Sequence, residues 1–251
     1  MNLNRRKILF SALLISYKDR VTFRFVYFDI DDTLLNHRHA ERAALQEVRN
    51  AIPVLQKIPI ETLWETYNRI NRDLWDQYGH GEITRVDLQH LRFSLTLSEL
   101  GISLSFQETI SQTYMKLYRR LWSWVPDAEK ALADIAAKWP VGFLTNGFAE
   151  VQQAKAEKFH LREISDIYVI SEEVGCMKPS ACIFQHATEL AGVDKSEILY
   201  VGDSYKTDII GAKRFGWQTV WLTDQNVDPE GVADMMISGM GELSLRLNHF
   251  K

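Results

Sequence analysis

Cysteine is nearly absent. Two residues, Cys176 and Cys182, are too few for a disulfide framework, and their spacing fits neither a zinc pair nor a Cys-x-x-Cys redox motif. The expectation is two reduced thiols, as in the proteins of a reducing compartment. The seven histidines show no HxxxH or HExxH spacing, which removes the common imidazole metal motifs. No basic block stands out among 29 Lys and Arg set against 33 Asp and Glu, so the footprint of a nucleic-acid polymer partner is missing. Repeats and low-complexity tracts are absent too. The apolar stretch Ile8–Ile15, which follows Arg5-Arg6-Lys7, is too short to cross a bilayer, and Ser16–Arg20 offers no small-residue cleavage site. Residues 1–22 are therefore expected to be an N-terminal extension, with no membrane partner and a cytoplasmic location.

What is present is apolar material in a readable order. The chain is 46% hydrophobic, enough for one large core or two small ones. Phe23–Phe28 is a β-branched and aromatic run that predicts a buried strand. Residues from about 38 to 124 then read as helix after helix. Leu45, Val48 and Ile52 mark one face; Leu63, Tyr67, Ile70 and Leu74 a second; Leu88, Leu91, Leu95 and Leu97 a third that ends at Gly101; Ile110, Tyr114, Leu117 and Leu121 a fourth. The aromatics of this region, Trp64, Tyr67, Trp75, Tyr78, Phe93, Tyr114, Tyr118 and Trp122, are expected mainly in the helix core.

After Pro126 the pattern changes. Strands predicted over 141–145, 167–170, 198–201 and 219–222 alternate with helices over 128–138, 150–159, 180–191 and 207–215. Such alternation implies βαβ units and a parallel sheet. The fold class is α/β: a Rossmann-like parallel core over 23–37 and 125–251, with an all-helical domain over 38–124 inserted after the first strand.

The polar residues at the strand ends carry the chemistry. The first strand runs into Asp29-Ile30-Asp31-Asp32-Thr33. Side chains at i and i+2 point the same way in extended backbone, so Asp29 and Asp31 share one side. Two adjacent carboxylates disfavour joint ionisation unless a cation lies between them or one keeps its proton. Asp32 reads as a cap or turn acid. Thr145-Asn146-Gly147 ends the second core strand, Lys178-Pro179 follows the third, and Gly202-Asp203 through Asp208 follows the fourth. In a parallel sheet these sets gather at the carboxyl edge, where ligands bind. Carboxylates, a hydroxyl, an ammonium and loop N–H groups suit Mg²⁺ and a phosphoryl group. Glu172 and Glu173 read as surface acids.

The four sets, in this order, resemble the motifs of the haloacid dehalogenase-like (HAD) phosphohydrolases over roughly 23–222. The resemblance implies a C1-type helical cap and assigns roles residue by residue. Asp29 is the expected nucleophile and Asp31 the expected proton donor and acceptor. Thr145, Asn146 and Lys178 would bind the phosphoryl group. Asp29 and Asp203, with the backbone carbonyl of Asp31, would hold Mg²⁺, and Asp208 would reach the ion through one of its waters. The stretches Gly81-Glu82-Ile83-Thr84, Leu91-Arg92-Phe93 and Val125-Pro126-Asp127-Ala128 are similar to those of bacterial pyrimidine 5′-nucleotidases of the YjjG type. This implies an aspartyl-phosphate mechanism on a small phosphate ester, a nucleotide above all, in a monomer or homodimer. Arg92 is a candidate substrate contact because the cap would cover the site.

Other readings compete. A small sugar phosphate or phosphoglycolate is the nearest alternative substrate. A dehalogenase needs no proton on its leaving group, so Asp31 argues against it. A phosphomutase remains open. A non-enzymatic phospho-acceptor domain would present its acids, Thr and Lys in a different order along the chain.

Overall fold

The computed structural model describes residues 23–247; the extension expected over 1–22 lies outside them. Two compact units emerge: one comprises residues up to Leu35 and from Trp124 onward, the other Asn36–Ser123.

The first unit is built on a six-stranded parallel sheet in the order β3-β2-β1-β4-β5-β6. Its strands are β1 (Phe25–Phe28), β2 (Val141–Thr145), β3 (Tyr168–Ile170), β4 (Ile198–Gly202), β5 (Gln218–Leu222) and β6 (Met235–Ile237). All four residues of β1 are buried, as an interior strand covered on both faces requires. They alternate between two cores. Val26 and Phe28 join the cluster containing Leu132 and Ile135 of one helix and Leu243 of another. Phe25 and Tyr27 join Ile183, Phe184 and Trp217 on the opposite face. Each such side chain, fully buried, stabilises the fold by about 1.5–3 kcal/mol. β1 pairs with β2 on one side and β4 on the other, so the chain reverses its direction of winding at β1. That switch point is where a parallel sheet opens a crevice.

Helices of eight residues or more are numbered in chain order. The second unit contains α1 (His37–Ala51), α2 (Ile60–Gly79), α3 (Arg85–Glu99) and α4 (Gln107–Leu121). α1 packs along α4 and α2 along α3. Thr84 starts α3 with a capping box: its hydroxyl accepts from the Asp87 backbone N–H, and the Asp87 carboxylate accepts from the Thr84 N–H at 2.9 Å. The face expected for α3 is partly wrong. Leu95 is exposed, while Arg92, Phe93 and Thr96 are buried between Leu88 and Leu97. Leucines alone misplaced the stripe because a polar Thr and a cation belong to it. Tyr67, Phe93, Tyr114, Tyr118 and Trp122 are buried, whereas Trp64, Trp75 and Tyr78 are only partly so.

The sheet unit is completed by α5 (Ala128–Ala136), α6 (Ala149–Lys158), α7 (Ala181–Ala191) and α8 (Met240–Leu247). β6 and α8 escaped the sequence reading: a three-residue edge strand gives too little periodicity to register. The helix expected over 207–215 opens instead with a π-helical turn, Tyr205–Ile210, before Gly211–Phe215. Its wider bond, Ile209 N–H to Ser204 C=O at 3.3 Å, accompanies an inward-turned Asp208.

The expectation of two reduced thiols is corrected. Cys176 and Cys182 are joined as a disulfide with Cα atoms 6.3 Å apart. A turn between them, closed by the Ser180 N–H on the Met177 carbonyl, brings the ends of the segment together. Spacing in sequence does not reveal such a turn. Among the described residues no helix is long and apolar enough to cross a membrane.

Candidate active site

Asp29 is the first residue beyond β1. Its backbone N–H donates to the Val201 carbonyl of β4 at 2.9 Å, which continues the sheet for one more residue. The chain then turns: the Leu34 and Leu35 N–H groups bond the Ile30 carbonyl, and Asp32 adopts a left-handed backbone, φ 63°, which aspartate tolerates better than most residues. Asp29 precedes this change of direction and Asp31 lies within it. Asp29 is 5% exposed.

Lys178 is the hub. Its ammonium, 3% exposed, donates to Asp29 Oδ1 at 2.6 Å, Asp208 Oδ1 at 2.8 Å and the Tyr200 hydroxyl at 2.7 Å, with the Leu144 carbonyl at 3.2 Å. Tyr200 in turn donates to Leu144 O at 2.9 Å. The loop bearing Lys178 is fastened by Asn146, whose side-chain amide donates to the Lys178 carbonyl and accepts from the Lys178 N–H, both at 2.9 Å. The Asn146 side chain thus holds the lysine backbone. Thr145, at the carboxyl end of β2 beside β1, is fully buried.

Asp208 also accepts from the Ser204 N–H at 3.0 Å. The backbone carbonyl of Asp203 accepts from the Trp221 indole N–H at 2.9 Å, so its loop is pinned to β5. One carboxylate oxygen from each of Asp29, Asp203 and Asp208 lies within 4.8 Å of the others. This all-oxygen donor set fits a hard divalent cation such as Mg²⁺, which favours carboxylates over imidazole or thiolate. The Asp31 carboxylate stands outside that group and is held by Lys155 and Gln152.

Charge explains the coupling. Burial pushes the Asp29 carboxyl up to about 7, opposed by Lys178 and reinforced by Asp208 and Asp31. Burial works against the Lys178 ammonium, but Asp208 and then Asp29 outweigh it and hold its pKa above the usual lysine value. Burial, followed by Asp208 and Asp29, raises Tyr200 well above an ordinary tyrosine. Three carboxylates and one lysine leave the pocket with a surplus of negative charge that a cation would neutralise.

The residues singled out at the ends of β1, β2 and β4 and on the Lys178 loop thus gather at one edge of the sheet. Arg92 belongs to the helical unit. There its guanidinium lies 5.1 Å from the Phe93 ring centroid and 5.7 Å from that of Tyr114, and it donates to Met115 Sδ at 3.2 Å. Glu172 is not a free surface acid: its carboxylate accepts from the Ala149 N–H at the start of α6. Sequence reasoning missed Tyr200, Gln152 and Lys155. A tyrosine in a strand reads as core, and a lysine in a helix reads as surface.

A parallel sheet with this strand order, a buried lysine among carboxylates and an acid pair at the central strand defines a class, and the comparisons agree. The model of the haloacid dehalogenase-like hydrolase family matches residues 23–216, and the chain belongs to that family. It is an enzyme of the phosphoric monoester hydrolase class. Among its relatives, the pyrimidine 5′-nucleotidase YjjG of Escherichia coli (strain K12) is 35% identical over 183 residues, covering 72% of this chain and 80% of that protein. A glyceraldehyde 3-phosphate phosphatase of Pyrococcus abyssi is 28% identical, covering 79% of this chain and 81% of its own. The crystal structure of the HAD-hydrolase YfnB of Bacillus subtilis, bound to magnesium, superposes with a TM-score of 0.76 at 26% identity over 91% of this chain and all of that one.

Proposed function

We propose that the chain is a Mg²⁺-dependent phosphomonoesterase that works through an aspartyl-phosphate and acts on nucleoside 5′-monophosphates of the pyrimidine type. The observation that carries this reading is the Lys178 ammonium lodged between Asp29 and Asp208, with Asp203 in the same carboxylate group. A carboxylate can attack a phosphate dianion only where cations mask the repulsion.

In the first step a carboxyl oxygen of Asp29 bonds to phosphorus while the ester P–O bond breaks. The leaving oxygen takes its proton from Asp31. In the second step water attacks phosphorus, the Asp29–phosphorus bond breaks, and Asp31 accepts the proton the water loses. The Thr145 hydroxyl and the Asn146 N–H steady the phosphoryl oxygens, and Lys178 offsets their charge. Asp29, Asp203 and the backbone carbonyl of Asp31 would hold Mg²⁺, with Asp208 beside it. The ion supplies charge neutralisation and orientation when bound.

The inserted helices, expected over 38–124, act in this reading as the substrate-selecting cap. Arg92, a buried cation on α3 against the Phe93 and Tyr114 rings, is its proposed substrate contact. Unchanged specificity constants across all substrates in Arg92→Ala would remove it.

The nucleotidase relative supports the nucleotide. The sugar-phosphate reading is kept because of the glyceraldehyde 3-phosphate phosphatase relative. A screen of nucleoside monophosphates against triose and other sugar phosphates, with Mg²⁺, separates them. The highest kcat/KM on a pyrimidine nucleotide is the expected result, and preference for a sugar phosphate would replace it.

A further inference from the structure

α6 carries two residues that converge on one carboxyl group. Gln152 and Lys155 are three apart and so share a helix face. The Lys155 ammonium donates to Asp31 Oδ1 at 2.5 Å, and the Gln152 amide donates to Asp31 Oδ2 at 2.9 Å. Both side chains are almost wholly buried, at 1% and 2% exposure. An ammonium is costly to bury, and a lysine is rarely found inside unless a partner holds it there.

The helix that presents them is itself fastened. The Gly147 N–H donates to the Ser171 hydroxyl at 3.1 Å, the Ala149 N–H to Glu172 Oε2 at 2.7 Å, and the Tyr168 hydroxyl to the Gln152 carbonyl at 3.0 Å. Gly147 leaves room for the arrangement, since a Cβ there would lie 2.6 Å from the Gln152 amide nitrogen.

We propose that Lys155 and Gln152 are positioning residues that fix the rotation of the Asp31 carboxyl group. The proposal rests on the phosphatase reading above. An aspartate turns about its last bond in a broad, roughly two-fold well. Two donors on one rigid helix, one to each oxygen, remove that freedom. A carboxylate offers about four lone-pair positions, so these two donors alone do not exhaust it. The carboxyl group is thereby aimed once, for both the proton it gives to the leaving oxygen and the proton it later takes from water.

The test uses the full chain with Mg²⁺ and a series of substituted phenyl phosphates that differ in leaving-group acidity, together with the alkyl phosphate the wild type turns over best. An acidic phenol departs without a proton, whereas an alkoxide needs one. Lys155→Met is expected to lose kcat/KM on the alkyl ester on the order of 10²-fold, the size of a misplaced catalytic group, and far less on p-nitrophenyl phosphate. Its dependence on leaving-group pKa should steepen. Gln152→Leu should show the same split at smaller size, and it decides the matter if Lys155→Met does not fold. An unchanged slope with equal losses on every ester, or no loss on any, would overturn the proposal. A wild type inactive on every ester would instead remove the phosphatase reading, and this inference with it.

Discussion

Gly202 and Asp208 fit together because the glycine has no side chain. A Cβ on Gly202 would lie 2.7 Å from both Cβ and Cγ of Asp208, closer than real Cβ atoms come. The aspartate cannot retreat, because it is bonded to Lys178 and the Ser204 N–H. Gly202→Ala should therefore displace Asp208 and loosen Lys178. The expected loss in kcat/KM is on the order of 10²-fold, as for a catalytic group moved by about 1 Å. Steady-state kinetics on the best substrate would check it, and wild-type activity would refute the coupling.

Asp29→Asn removes the charge of the proposed nucleophile while keeping its shape. No turnover is expected, with a folded protein by circular dichroism. Asp31→Asn should leave a longer-lived phospho-enzyme, detectable by acid quench with labelled substrate, because the water step would lack the proton acceptor proposed for it. Rapid turnover in Asp29→Asn would end the nucleophile assignment.

Asp203→Ala takes one oxygen from the proposed metal set. Mg²⁺ should raise the melting temperature of the wild type, since a ligand that binds only the folded state stabilises it. The shift should be smaller in the variant, and its Mg²⁺ activation curve should move to higher concentration. Superimposable titrations would count against Asp203 as a ligand.

Thr84→Ala tests the stability of the helical unit. The lost cap on α3 should cost about 1 kcal/mol in denaturant unfolding, the usual size of an N-cap hydroxyl. Catalytic constants on p-nitrophenyl phosphate should stay near those of the wild type.

The architecture was legible where the physics is local. β2 was predicted over its observed residues because four apolar positions, Val141 to Leu144, end in a polar Thr-Asn-Gly. Asp29 and Asp203 stood out because charge at the end of an apolar strand is unusual, and Lys178 and Asp208 because they follow the next strand ends in the order of the family motifs. What escaped depends on tertiary approach. Lys155 looks like any helical lysine until Asp31 arrives from 124 residues away. Tyr200 looks like core until Lys178 is placed against it. The Cys176–Cys182 pairing needs a turn that composition does not announce. Leu95 pointed to the wrong side of α3 because the buried stripe there includes Arg92 and Thr96.

The two passages by which the chain leaves and re-enters the sheet unit are zipped side by side. Leu35 bridges Trp124, and the Val125 N–H donates to the Leu34 carbonyl at 2.8 Å. Beyond the boundary, the Asn36 N–H meets the Ser123 carbonyl at 2.9 Å. A splice made at this seam spans only a few ångströms, so a different insert can be grafted there with β1 and its acids undisturbed. Such a seam lets one helical insert be traded for another while the strands that carry Asp29 and Asp203 are inherited intact.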